Sequence, residues 1–378
     1  PPMSARRQRQ MCIRDSKRTV PQNVRCEIFS TKTSPLDKLQ ALRGVFSSEY
    51  KQEKKRASEA YELEWTEGIR NTALMSLFFA RKWKKRLKEQ LSDTKNYDVV
   101  FYSYWCTDTA LGLALLRKEN PSIQAFSRVH GWDLYFEATA FNYQPFRGLI
   151  AENMSGLFPI SDRGERYIRE RWKVNSDSVK VLRLGTKAAP KNDHATDRNR
   201  LVSCSNMIPL KRVHLIAESL KQLKDIQLDW SHFGDGPERV QVEKVIDSIQ
   251  GRDIEVTLFG HKDNQEVLNW YHKNRPNIFI NVSETEGIPV SMMEAMSFGI
   301  PCIGTNVGGV SEIIEDGVNG FLLPANPSIQ EVYEAIDRYF KLSTDEQQTM
   351  KANAHSTWQS RYNAAKNYRS FASLLADN

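Results

Sequence analysis

Between Leu201 and Leu323, short apolar strands alternate with helical segments, and this alternation restricts the fold more than any other feature of the chain. The strands read as LVSCSN, IQLDWSHFG, IEVTLFG, NIFINVS, PCIGT and GFLL. The helices between them read as KRVHLIAESLKQL, PERVQVEKVIDSI, NQEVLNWYHK, PVSMMEAMSF and VSEIIE. Such a pattern predicts a doubly wound parallel α/β sheet.

A second set of the same kind precedes it. NVRCEIF (23–29), YDVVFYSYW (97–105), IQAFSRVHG (123–131), SGLFPIS (155–161) and VKVLRLG (179–185) read as strands, the second of them buried with an aromatic end. Residues 36–92 read as largely helical, and TDTALGLALLRKE (107–119) and DRGERYIRERW (162–172) as helices. TKAAPKNDHATDRNR (186–200) has almost no large apolar residue and reads as a linker between two domains. The last 23 residues read as one amphipathic terminal helix.

The net charge is +7, and residues 1–16 hold +3 of it through four arginines against one aspartate. That head, with its RRQRQMCIRDS run, has no periodicity; it is read as an artefact or a disordered tail and set aside. The mildly basic remainder suits acidic small molecules or an anionic surface, and no basic stripe interleaved with aromatics points to nucleic acid. Five scattered cysteines without a Cys-x-x-Cys pair predict a reducing compartment and no metal cluster. No apolar run reaches the ~18 residues of a membrane span.

The stretch SETEGIPVSMMEAMSFGIPCIGTNVGG (283–309) is the richest in chemistry. In open α/β sheets ligands bind beyond the carboxyl ends of the strands, which is where NIFINVS delivers Ser283. Pro289 is expected at the first helical position, where its missing N–H costs nothing. The N–H groups of Gly287, Ile288 and Val290 then offer an anion site at the positive end of the helix dipole. Glu286 at the mouth and Glu294 in the second turn suit hydroxyl recognition. The plainer alternative has Glu286 favouring the dipole and Glu294 facing solvent.

This segment, extended to Leu323, resembles the signature of retaining glycosyltransferases of the GT-B fold, glycosyltransferase family 4 (glycosyl transferases group 1). The shared features are Glu286 and Glu294, Phe298-Gly299-Ile300-Pro301, Gly308-Gly309, Glu312 and Asn319-Gly320. MIPLKRVHLIAESL resembles the family's loop and helix carrying a donor-phosphate Lys, here Lys211. FGDGPE (233–238, with Gly234) resembles its Gly-Asp-Gly-Pro turn. VTLFGH (256–261, with Gly260 and His261) resembles the loop beside the nucleotide base, and SRVHGWDLY (127–135) the segment that places His130 near the transferred sugar. Asn206 stands where the family usually has an arginine, so phosphate neutralisation is expected from Lys211 with help from Arg212.

The resemblance implies two Rossmann-like domains facing across a cleft. Residues 17–187 would be the acceptor-side domain, lacking the family's first β-α-β unit and its Gly-rich loop. Residues 188–356 would bind the nucleotide sugar, and a helix at 357–378 would pack back toward the N-terminal domain. It implies a nucleotide-diphosphate sugar donor (a UDP- or GDP-sugar), a glycan or lipid-linked acceptor, no cofactor and no metal. Catalytic roles fall to His130, Lys211 and Glu286. Donor contacts fall to Asn206, Arg212, Gly234, Gly260, His261, Gly287, Ile288, Pro289, Val290 and Glu294. The expected setting is cytoplasmic assembly of bacterial surface polysaccharide. Peripheral contact with the inner membrane face would come through LMSLFFARKWKKRLK (74–88), whose alternative is a core helix with a solvated basic end. Two other functions fit the same residues: a non-catalytic nucleotide-sugar-binding remnant, and a sugar-nucleotide epimerase.

Overall fold

A computed structural model describes residues 34–92, 99–174, 177–190, 198–224, 226–249 and 253–376. The expected strand at 23–29 and the head at 1–16 lie outside these residues, as do residues 191–197 of the linker. The chain forms two compact units, one built from residues up to Phe158 with Arg166–Lys180, the other from Pro159–Glu165 with Val181 onward. The boundary therefore precedes the expected 187/188 division, and residues 181–187 and 357–376 cluster with the second unit.

The first unit opens with helices α1 (Pro35–Leu42), α2 (Ser48–Glu59) and α3 (Glu67–Ser92), then strand β1 (Val100–Ser103) and helix α4 (Asp108–Glu119). Strand β2 (Gln124–Val129), a short turn of helix α5 (Gly131–Leu134), helix α6 (Arg147–Asn153) and strand β3 (Gly156–Pro159) follow, and helix α7 (Asp162–Arg171) is divided, its residues to Glu165 clustering with the second unit. The strand order is β1-β2-β3, with β1 and β2 parallel in the register Val100↔Gln124 to Ser103↔Ser127. Ala110 to Leu116 are buried without interruption, so α4 is apolar all round and forms the centre of this unit. Val100, Tyr104 and Trp105 are exposed, where burial is expected, β1 being an edge strand among the described residues.

Helix α3 takes up the segment for which membrane contact or a core helix was expected, and it packs in the core. Leu74, Leu77, Ala80 and Leu87 are buried in the core that also holds α4. Its basic residues pair with carboxylates of the same unit: Arg81 with Glu49 at 3.3 Å, Lys82 with Asp37 at 2.9 Å and Lys84 with Glu119 at 2.7 Å. Its leucines thus belong to the core and its basic end to intramolecular ion pairs, as the core-helix alternative expects. No helix among the described residues is long and apolar enough to cross a membrane.

The expected strand at 179–185 forms only in part. Leu157 N–H donates to the Ser178 carbonyl, Lys180 N–H to Leu157 and Leu182 N–H to Pro159, each at 3.0 Å. The next rung would need an N–H from Pro159, which has none, so the ladder breaks there.

The second unit carries a six-stranded parallel sheet of β4 (Asn199–Cys204), β5 (Leu228–Phe233), β6 (Ile254–Leu258), β7 (Ile278–Asn281), β8 (Cys302–Thr305) and β9 (Gly320–Leu323). The order is β6-β5-β4-β7-β8-β9. The connecting helices are α8 (Val213–Leu220), α9 (Arg239–Asp247), α10 (Asn264–Asn274) and α11 (Val290–Ser297). Successive strand residues enter two different cores. Leu201, Ile278, Ile280 and Ile303 join one, and Val202, Phe279 and Cys302 the other. That division is what a sheet covered on both faces requires, and each fully buried large side chain contributes about 1.5–3 kcal/mol.

The segment VSEIIE forms a single tight turn, Val310–Glu312, in place of the expected helix. A run of six residues gains too few bonds to offset helix nucleation. Two further helices, α12 (Ile329–Lys341) and α13 (Thr344–Thr357), precede the chain end. The expected single terminal helix is broken by a wide turn at Trp358–Tyr362 before α14 (Ala364–Ala376). The break lets Thr186 pair with the chain there: Thr186 N–H donates to Tyr362 and Ala364 N–H to Thr186.

Candidate functional site

The order of the second sheet places its switch point between β4 and β7, whose following connections run to opposite sides. The carboxyl ends of parallel strands at such a point open a crevice, because the two chains leave it in different directions. The loop after β4 carries Asn206, Lys211 and Arg212, and the loop after β7 carries Glu286 to Pro289. They are tied directly: Glu284 N–H donates to the Leu210 carbonyl at 2.8 Å.

Lys211 Nζ lies 2.5 Å from Glu286 Oε1, and both side chains are mostly buried. Asn281 Nδ2 donates to the same oxygen at 3.1 Å, while its Oδ1 accepts from Ser283 N–H at 2.9 Å. The carboxylate is therefore fixed from two strands at once. Asn281 was not singled out in the sequence; its place as the last residue of β7, five before Glu286, is the signal that marks it.

Helix α11 begins at Val290, so Pro289 caps the helix from outside it instead of opening it, at φ −66° and ψ 120°. Met292, Met293 and Met296 are buried and anchor the helix on the sheet. Among the described residues, the N–H groups of Gly287, Ile288 and Val290 donate to no protein acceptor. The helix start thus keeps its anion-binding capacity beside the lysine.

Arg212 departs from expectation. It holds a left-handed backbone, φ 49°, at the cap of α8. Its Nε donates to Val282 O at 2.7 Å, Nη2 to Ser283 O and Ala325 O at 3.0 and 3.1 Å, and Nη1 to Asn326 Oδ1 at 2.7 Å. Its guanidinium is spent joining the ends of β7 and β9 to the start of α8. It thereby shapes the switch point.

Glu294 sits on α11, where Asn264 Nδ2 of α10 donates to its Oε1 at 2.8 Å. Burial raises its carboxyl above the usual range, partly offset by that amide. It is thus neither a free solvent-facing residue nor in contact with the Lys211–Glu286 pair. Gly234 and Gly260, after β5 and β6, are bonded to each other, Gly234 N–H donating to Gly260 O at 2.9 Å. Asn206 and His261 are exposed on the neighbouring loops. Glu312 of the signature accepts from Asp162 N–H and Arg163 N–H at 2.9 and 2.8 Å and lies 3.3 Å from Arg183, a structural role within this unit. Among the described residues no group of three or more His, Cys, Asp or Glu converges as metal ligands would.

His130 belongs to the first unit, just after β2. Its ring is buried against Tyr104 and Trp105, at centroid distances of 4.6 and 4.2 Å. Its N–H groups divide sharply: the backbone N–H donates to Asp133 Oδ1 at 2.6 Å, whereas neither ring nitrogen has a protein partner. In the second unit, His232 is buried with Nδ1 2.8 Å from Ser203 Oγ and Nε2 3.1 Å from the Ser205 carbonyl. A carbonyl only accepts, so Nε2 carries the proton and holds the loop after β4.

Burial lowers both imidazoles, His130 to about 3 and His232 to about 4. The unfolded chain takes up these protons near pH 6.5, the native chain only far below. The neutral rings therefore contribute stability that is present above pH ~6.5 and lost as pH falls toward 4 and then 3, by roughly 1.4 kcal/mol per pH unit per ring. Urea midpoints at about pH 7 and about pH 5.5 are expected to differ, with the His130→Gln variant losing less on acidification. Equal midpoints in the wild type would refute the assignment of both rings as neutral.

Two units of parallel α/β architecture, the second with its loops gathered at a switch point, define the GT-B class of fold. The comparisons agree. The structure shares that fold with HepE of Anabaena, at TM-score 0.61 and 18% identity over 78% of this chain and 81% of that one. A glycosyltransferase of Rickettsia africae ESF-5 aligns over 90% and 92% at TM-score 0.64 and 17% identity. Residues 186–357 match the family described as glycosyl transferases group 1. In sequence the chain is 26% identical over 258 residues to WcaL of Escherichia coli K12, a provisionally named colanic acid biosynthesis glycosyltransferase. That match takes in 65% of this chain and 62% of WcaL. It is 31% identical over 123 residues, about a third of each chain, to an N-acetyl-alpha-D-glucosaminyl L-malate synthase of Bacillus anthracis.

Proposed function

We propose that the chain transfers a sugar, with retention of anomeric configuration, from a nucleotide-diphosphate donor to a glycan or lipid-linked acceptor, in the family-4 manner. The observation that carries this reading is the Lys211–Glu286 pair across the switch point, beside the N–H groups of Gly287 and Ile288 in the loop and of Val290 at the helix start, which donate to no protein acceptor. A diphosphate placed there meets an ammonium and the positive end of a helix. As the C1–O bond of the donor breaks, the growing negative charge on the leaving diphosphate is stabilised by groups already in place. The acceptor oxygen bonds to C1 on the same face and its proton passes to the leaving phosphate oxygen. Glu286 and Glu294 supply hydroxyl acceptors for the sugar and the ribose.

A UDP-sugar is the favoured donor, with a GDP-sugar the alternative; HepE is a protein solved with UDP and glucose. WcaL bears a name in colanic acid biosynthesis, which favours surface polysaccharide assembly in the cytoplasm as the setting. Thermal-shift screening of nucleotide sugars is expected to select one donor, a ligand at about 100 times its Kd raising stability by about 2.7 kcal/mol. The reading falls if no nucleotide sugar stabilises the protein.

Lys211 and the helix dipole occupy the role that a divalent cation plays in other transferases. Transfer is therefore expected to proceed at an unchanged rate in EDTA. Activity that vanishes in EDTA and returns with Mg²⁺ or Mn²⁺ would overturn this part of the proposal.

A further inference from the structure

The first unit carries a second site candidate, at the carboxyl ends of β1 and β2. Tyr104 and Trp105 follow β1; His130 and Trp132 follow β2. Three of these rings are open to solvent, Tyr104 at 48%, Trp105 at 39% and Trp132 at 37% exposure, while His130 beneath them is 6% exposed. Trp105 lies 5.2 Å from Tyr104 and 5.5 Å from Trp132 by ring centroids. The aromatics are thus contiguous.

The loops that bear them are clamped. Asp133, fully buried, accepts from His130 N–H and from Cys106 N–H, each at 2.6 Å, and so joins the loop after β1 to the loop after β2. Behind it Gln144 Nε2 donates to Trp132 O at 2.7 Å and Arg147 Nη2 to Asp133 O at 3.0 Å. Gln144 and Arg147 are bonded to each other at 2.7 Å. Little ordering entropy is left for a ligand to remove, which favours binding.

The ligand must satisfy two demands. Exposed indole and phenol faces, negative at the centre, attract a flat partner with slightly positive C–H groups. The buried imidazole, neutral and with neither nitrogen bonded to protein, needs a donor and an acceptor, since an unsatisfied buried polar group costs about 1–3 kcal/mol. An acyl chain answers only the first demand. A pyranose ring answers both, through its axial C–H face and its rim of hydroxyls. Tyr104 stands at 90° to Trp105 and Trp132 is tilted from it by 53°. We infer that Trp105, Trp132 and Tyr104, over His130, form an aromatic platform for a pyranose ring of a glycan acceptor, one indole stacking on its C–H face and the inclined rings flanking its rim. The inference takes the word acceptor from the transferase reading above; the saccharide site stands on the geometry alone.

The test uses the full chain and three titrations followed by tryptophan fluorescence and calorimetry: pyranose oligosaccharides such as cellotetraose and galactose- and fucose-containing tetrasaccharides, UDP, and phosphatidylglycerol vesicles. At least one oligosaccharide is expected to bind. Trp105→Ala and Trp132→Ala should each weaken it by at least about tenfold, about 1.4 kcal/mol. Trp105→Phe should restore most of the affinity, and UDP affinity should not change in any of these variants. The absence of saccharide binding, or binding equal in wild type and both alanine variants, overturns the platform. A UDP affinity that falls with Trp105 shows a nucleobase site instead, and vesicle binding lost with the tryptophans shows a membrane contact; either also overturns it. Saccharide binding that survives while neither UDP nor, in a parallel titration, GDP binds the wild type would sink the transferase reading and leave the platform standing.

Discussion

Changing Lys211 to alanine is expected to lower UDP affinity by roughly 10- to 150-fold, the equivalent of losing one charge-assisted phosphate contact of about 1.5–3 kcal/mol. The loss should lie toward the upper end because the lysine has a partner. Glu286 Oε1 accepts from Lys211 Nζ at 2.5 Å, and without the ammonium a mostly buried carboxylate is left at the mouth of an anion site. The variant therefore removes an attraction and uncovers a repulsion. The double change Lys211→Ala with Glu286→Gln should bind UDP more tightly than Lys211→Ala alone, and the difference gives the coupling between the two side chains. Turnover should fall further than affinity, by about 10²–10³, if the ammonium acts mainly on the charge of the departing diphosphate. Calorimetric titration of the three forms decides the point. Equal UDP affinity in wild type and Lys211→Ala would remove the phosphate role of the lysine.

Much of this site was legible before any coordinates, because a parallel sheet buries both faces of its strands and so writes them as apolar runs. NIFINVS and PCIGT are such runs, and both fall where expected, with Glu286 and Lys211 delivered to one edge. Less was legible where one residue's local preference meets a tertiary demand. Arg212 reads as a phosphate ligand beside Lys211, yet its backbone is left-handed and its side chain donates to four oxygens of the loops after β7 and β9, a direction that spacing cannot show. VKVLRLG has strand composition and loses its ladder to a proline in the neighbouring strand, Pro159, twenty residues away. Helices α12 and α13 did leave a sequence signal. Ser328 with Glu331 and Ser343 with Glu346 both form capping boxes, and the Ser-x-x-Glu spacing marks each helix start. Asp133 is the instructive case in the first unit. It reads as part of a loop motif, but it is fully buried and accepts from two backbone N–H groups of different loops, with burial pushing its carboxyl up to about 7.

Gly308→Ala is expected to damage both the stability of the second unit and its nucleotide binding. Gly308 sits at φ +55°, and a Cβ there would lie 1.7 Å from the Glu286 carbonyl oxygen and 3.2 Å from that of Gly287. The next residue bonds to the same loop, Gly309 N–H donating to Gly287 O at 2.6 Å. The glycine pair thus lets the chain after β8 lie flat against the loop that presents Glu286 and the N–H groups of Gly287 and Ile288. A methyl group must push that loop away, at a cost of about 1–3 kcal/mol for overpacking on top of about 1 kcal/mol for the left-handed backbone. Gly317 provides the control. Its φ is +74°, but the nearest atom to a Cβ, Arg338 Nη2, is 3.9 Å away. Gly317→Ala should therefore lose only the backbone share, about 1 kcal/mol or about 2–4 °C in Tm for a unit of this size, with UDP affinity unchanged. Gly308→Ala should melt several degrees lower still and bind UDP more weakly than the control. If the two variants melt together and bind UDP alike, the loop after β8 does not hold the anion site in shape, and the contact at Glu286 is incidental to binding.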